Sequence, residues 1–220
     1  MALESASGTA YGATWGALAA LVEADGSARQ PWVATLSKRG VLLRDLADAA
    51  HALCMLHGRH PGIVDHAQGR ARDPVIEAWL SDAVAGFATE RTYLIRLTAA
   101  AGPLPSTPGQ AQSGAAIAGQ RHALDMLAGS ERRGCAIGAA MALVLDWPAI
   151  RLVLDAAADR FGVDIARNAL PGSQDSATVL NALADSPAVE RAALFGAQQT
   201  LAQHRGLWAL LEARTAARNR

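Results

Sequence analysis

"GCAIGAAMALVL", residues Gly134–Leu145, is the longest apolar run in the chain, and its reading decides the fold. Arg132 and Arg133 precede it and Asp146 closes it. The run is too short for a bilayer, which needs about 20 residues. It does not alternate apolar with polar as a half-buried strand does. A segment apolar on every side is a buried core helix. Gly134 and Gly138 form a Gly-x-x-x-Gly pair, which lets a second helix backbone approach closely. The expectation is a central helix with Ile137, Met141, Val144 and Leu145 almost fully buried.

Working outward from this run, helix signals recur together with their stops. A short helix over 11–24 ends at Asp25-Gly26. A second begins near Pro31, carries the stripe Leu36, Leu43, Leu46, Ala50, Leu53, and stops at Gly58. Asp73-Pro74, an N-cap acid followed by proline in the first turn, opens a third helix that runs to Ala101. Thr107 and Gln110 read as a capping box for a fourth, which reaches about Gly129. Ser130 can cap the fifth. Trp147-Pro148 breaks or kinks it, because the residue before proline avoids helical geometry. A sixth runs to Phe161, residues 163–175 read as loop, 176–184 as a short helix, and Ser186-Pro187 opens a last long one. Strand signals are almost absent. The fold expected is all-α: one domain over residues 1–220, a bundle of four or more long helices with short accessory ones.

The chain has 220 residues, half of them apolar, and a formal net charge of zero. That balance gives no electrostatic case for nucleic acid or an acidic membrane surface. Lys38 is the only lysine. A GC-rich genome is by itself enough to produce an arginine-rich, alanine-rich composition, so a single arginine carries little weight. Cys54 and Cys135 both fall in helical patterns and make no disulfide framework, which suits a reducing compartment. An acid stands at the N-terminus where a secretory leader needs basic residues. A cytoplasmic location is expected.

Polar residues that interrupt apolar helix stripes are the candidate site. Glu90 interrupts Ile76, Leu80, Ala83, Phe87, Leu94, Leu97, and Gln120 interrupts Ile117, Leu124, Leu127. His204 interrupts Leu194, Ala197, Leu201, Trp208, Leu211, and His57 continues the line through Ala50 and Leu53. Four helices can thus each aim one polar group inward, with Tyr93 one turn beyond Glu90. A buried carboxylate needs a partner. Bundles build their sites from such side chains on facing helices. Glu90, His204 and Tyr93 are the catalytic candidates, and His57, Gln120, Gly134 and Gly138 the cofactor-binding ones. His57, His60, Glu90 and His204 are the metal-ligand candidates. A glycine-bearing helix suits a flat ligand such as haem, and the haem oxygenase-like bundles resemble this chain in length and helix content alone, so no residue is carried over from them. The opposing reading of the stripes is structural: edge positions reach water, and core histidines are commonly satisfied by hydrogen bonds.

"HGRHPGIVDHAQGRARD", residues His57–Asp73, gathers three histidines between two long helices. Gly58, Pro61, Gly62 and Gly69 give it sharp turns and hence a specified shape. It reads first as a structured rim with acid–arginine pairing, next as a small-ligand or anion site at the mouth of the bundle, and last as a metal site. Glu-x-x-His, His-Glu-x-x-His, Cys-x-x-Cys, Gly-x-x-x-x-Gly-Lys and Gly-x-Ser-x-Gly are all absent, which argues against di-iron, zincin, P-loop and α/β-hydrolase chemistry. Two functions remain. One is a bundle that binds a small ligand, cofactor or metal at a polar centre. The other is a non-catalytic protein that forms a homo-oligomer or binds a partner through apolar faces anchored by Trp15, Trp32 or Trp208.

Overall fold

A computed structural model of the chain describes residues 12–104 and 109–219. Among these are nine α-helices and no strand. In chain order they are α1 (Ala13–Asp25), α2 (Pro31–Leu36), α3 (Leu43–His57), α4 (Ile63–Gln68), α5 (Pro74–Ala101), α6 (Gln110–Ala128), α7 (Cys135–Phe161), α8 (Ser173–Leu183) and α9 (Pro187–Arg218). A 3-10 turn, Ser27–Arg29, lies between α1 and α2. The fold is an all-α bundle.

The apolar run forms the first half of α7, which packs against α3, α4, α5, α6 and, most extensively, α9. Ile137, Met141 and Val144 are buried and Leu145 is half-buried. At 27 residues α7 is long and apolar enough to cross a membrane, yet 78% of its most apolar window is buried against neighbouring helices. That is the environment of a core helix. Glycines set its contact with α9. A Cβ on Gly138 would stand 2.0 Å from the Ala193 carbonyl oxygen, and one on Gly196 would stand 2.1 Å from that of Cys135. The two helices meet backbone to backbone.

Several boundaries differ from expectation. The helix foreseen from Pro31 to Gly58 is two, because residues 37–42 leave helical geometry and Gly40 takes a positive φ of 87°. Of the break or kink foreseen at Trp147-Pro148, the break does not occur: Pro148 sits inside α7. Proline in a helix interior costs about 3 kcal/mol. Here Trp147, Ile150, Val153 and Leu154 are fully buried around it, and their packing holds the helical path. Gly134, in the left-handed region at φ 95°, precedes α7, not Ser130. The loop expected over 57–73 contains α4, whose Asp65 accepts a hydrogen bond from the Gly62 N–H at 2.7 Å. Asp73 and Ser186 do cap α5 and α9, accepting from Val75 and Ile76 and from Val189. The capping residue Thr107 and the start of the first helix at Tyr11 lie outside the described residues.

At the far end, Asp45 and Asp48 of α3 are bound by arginines of α9. Arg214 reaches Asp48 at 3.0 Å, and Arg218 reaches both Asp48 at 2.6 Å and Asp45 at 2.9 Å. Trp208, foreseen as an exposed anchor, is buried and donates to Ser27 Oγ at 2.9 Å. Trp15 and Trp32 are partly buried against the core.

Candidate functional site

His204 sits midway along α9, one helical turn from Leu201 and Trp208, and is 1% exposed. Its Nδ1 lies 2.7 Å from Asp146 Oδ2. A carboxylate only accepts, so His204 Nδ1 carries the hydrogen in this bond. Asp146 also accepts from the Ser27 N–H at 2.7 Å and the Ser27 hydroxyl at 2.6 Å. Gly26 permits that approach, since a Cβ there would lie 2.7 Å from Asp146 Oδ1. Burial pushes the Asp146 carboxyl up, but its hydrogen bonds and charge interaction with His204, together with the Ser27 bonds, bring it below the ordinary carboxylate range.

The other nitrogen of His204, Nε2, lies 3.0 Å from His57 Nε2. His57 closes α3 and is 6% exposed. Its ring packs edge-on to Trp147 and Phe87, at centroid distances of 5.6 and 6.2 Å. Burial, then the charges of His204 and Arg91, hold the His57 ring well below the usual imidazole range. Asp146, His204 and His57 are therefore one hydrogen-bonded line through the core.

The line ends on a cavity. His57 is one of its walls, and the cavity volume is about 320 Å³. Arg59, Pro61, Gly62 and His66 line it from the segment between α3 and α5, and Arg121 and Asp125 line it from α6. An ion pair between Arg91 of α5 and Asp65 of α4 holds that segment in place, with the Arg91 guanidinium 5.2 Å from the centre of the Phe87 ring. The stretch that gathers three histidines thus borders a cavity that His57 helps to line.

Glu90 is fully buried but belongs to a second centre. Its carboxylate accepts from Arg151 Nη1 at 2.8 and 3.0 Å and from Trp147 Nε1 at 2.9 Å. Burial pushes this carboxyl up, and the Trp147 and Arg151 bonds oppose it. Arg151 also reaches Asp155 and the Ala166 carbonyl, pinning the connector after α7. Tyr93 donates to Asp155 at 2.9 Å, and burial and that carboxylate raise its phenol. Glu90 and His204 do not touch; the Trp147 indole contacts Glu90 on one side and His57 on the other.

The remaining candidates are placed as follows. Gln120 is half-buried, donates to the Gln203 carbonyl at 3.3 Å and fits against Gly206. Gly134 and Gly138 face Val189 and Ala193, so α9 fills the face a flat ligand such as haem would need. His60 is exposed and lies 3.6 Å from Asp65, apart from the other proposed metal ligands. Among the described residues no group of three or more His, Cys, Asp or Glu side chains is arranged to hold a metal ion.

Asp146, Ser27 and Arg151 are the members that sequence reasoning missed. A signal existed for Asp146. It lies three residues after Leu143 and four before Ile150, both buried, and so continues an apolar stripe once Pro148 is allowed inside the helix.

Residues 22–219 match the model of a protein family described as a family of unknown function, DUF6975. No curated protein and no solved structure matches the chain.

Proposed function

The chain belongs to the DUF6975 family, whose description assigns no chemistry, and we propose that it binds a small molecule in the cavity beside His57 and exchanges a proton with it there. The observation that carries this reading is the unbroken line Asp146–His204–His57 ending at the cavity wall. With His204 neutral, its Nε2 is the acceptor and His57 Nε2 donates to it. His57 Nδ1 then holds a free lone pair, and no hydrogen bond to that atom is formed among the described residues. A proton taken from the ligand at Nδ1 is matched by transfer of the Nε2 hydrogen to His204. The product is neutral His57 with Nδ1–H facing the ligand, and a His204 cation paired with the Asp146 carboxylate. Reversal returns the proton. The charge is thus stored beside Asp146 and not at the cavity wall, which suits the resistance of His57 to holding charge itself. The family match runs unbroken through all the helices that supply these groups, which supports treating them as one domain.

Nitrogen-15 NMR of the histidine side chains between pH 5 and 8 tests the reading. In the wild type one proton is shared between the two Nε2 atoms. Asp146→Asn abolishes the sharing. A His57 ring that titrates alone near ~6.5, the unperturbed value, and does so identically in both proteins would overturn the proposal.

A further inference from the structure

The charged groups around the cavity point to what it takes. Arg59 and Arg121 both line it, from the rim segment and from α6, and neither forms an ion pair among the described residues. Most other arginines of the core and rim are engaged: Arg70 on the Ser130 and Gly129 carbonyls and Glu131, Arg91 on Asp65, Arg151 on Glu90, and Arg214 and Arg218 on Asp45 and Asp48. One acid, Asp125, lines the same cavity; it lies one turn after Arg121 and is exposed. Two guanidiniums against one carboxylate leave the opening net positive, before any charge on His57 or His66. Arginine's planar fork matches a carboxylate or phosphate with paired hydrogen bonds. A volume of about 320 Å³ is at the lower end of the ligand-pocket range of roughly 300–1,000 Å³, so the occupant is small.

We infer that the cavity binds a small organic anion, a carboxylate or phosphate, whose charged group is held by Arg59 and Arg121 with an adjoining atom at His57. This rests on the proposed acid–base reading for the role of His57, but the anion site stands on the arginines and the cavity. The groups that face His57 fit such an occupant. His204 and Asp146 lie behind it on α9 and α7, Arg91 on α5 lies beside it, and His66, Arg59, Arg121 and Asp125 share its cavity. Burial is the main reason His57 resists a proton and the nearby Arg91 charge adds to it; an anion seated in the cavity offsets that added positive potential. Binding therefore draws a proton onto the His57–His204 pair.

The test uses the full chain and three probes: inorganic phosphate, succinate and uncharged succinamide. Calorimetry measures affinity, and the His57 ring signals report location. The expected result is saturable one-to-one binding of phosphate or succinate that shifts the His57 ring, no binding of succinamide, and at least tenfold weaker binding in the Arg59→Gln/Arg121→Gln double variant. Affinity falls as salt is raised, since screening acts on an open site. The inference is overturned if both anions fail to saturate, if the double variant binds them as tightly as wild type, or if succinamide binds equally well. The two readings fail separately. Loss of proton sharing with retained, arginine-dependent anion binding removes the relay alone. Retained sharing with arginine-independent binding removes the anion site alone.

Discussion

Asp146 accepts three hydrogen bonds inside the core, two from Ser27 and one from His204. Asp146→Ala strands all three donors inside the core. Leaving buried donors unsatisfied costs about 1–3 kcal/mol for each group, readable as a lower urea midpoint at pH 7; a loss under about 1 kcal/mol would mean that water replaces the carboxylate freely. His57 gives a pH signature. Its folded-state value is lowered, while the unfolded imidazole titrates near ~6.5. Between these two values the unfolded chain binds more protons. Stability is therefore full above about pH 6.5 and is lost as pH falls toward the folded value. From pH 7 down to 5, His57→Gln should lose less stability than the wild type, and equal slopes would remove His57 from this account. Three of these residues were legible in the sequence. His57, Glu90 and His204 each interrupt an apolar stripe, and all three are buried. Their pairing was not legible. Glu90 found Arg151, one turn past Trp147, and left the two histidines to Asp146, because spacing along one helix says nothing of which neighbour it meets.

At the scale of the helix, the sequence spoke most clearly where a cap and an apolar stripe coincide. Asp73-Pro74 and Ser186-Pro187 mark the starts of α5 and α9 to the residue. It misled where a local rule met a tertiary one. The proline rule ends a helix at Trp147, but burial of Trp147 on every side keeps α7 continuous. The short α4 was hidden in a glycine- and proline-rich stretch too brief to show a period. The joint between α7 and α9 gives a direct test. Gly138→Ala gains up to about 1 kcal/mol in helix propensity, but the added methyl collides with backbone, which has no rotamer to turn. Overpacking of this kind costs about 1–3 kcal/mol, so the net change in urea denaturation is a loss; a stabilised variant would show that the helices part easily. Met141, fully buried on the same helix, should lose about 2–5 kcal/mol on change to alanine.

Over the whole molecule, α9 is about 48 Å long at 1.5 Å per residue, and it joins regions far apart in sequence. It fills the glycine face of α7, supplies His204 to the hydrogen-bonded line with Asp146, and grips α3 through Arg214 and Arg218. Asp48→Ala leaves both arginines without that carboxylate in a largely buried setting. The expected loss is about 3–5 kcal/mol, spread across the fold and seen as faster amide exchange in α3 and α9 together; a change confined to the last turn of α9 would show a mere surface tether. The all-α class was legible because helix signals recur and strand signals do not, whereas the docking of α9 was carried by glycines whose partners no local pattern names. That docking has a consequence for the order in which the chain is made. Of the described helices α9 leaves the ribosome last, and domains assemble as their pieces emerge. Until it arrives, Asp146 lacks its His204 donor, His57 lacks its hydrogen-bond partner and the apolar face of α7 that α9 covers stays open. The hydrogen-bonded line that reaches the cavity is therefore completed in one late step of synthesis, not by degrees.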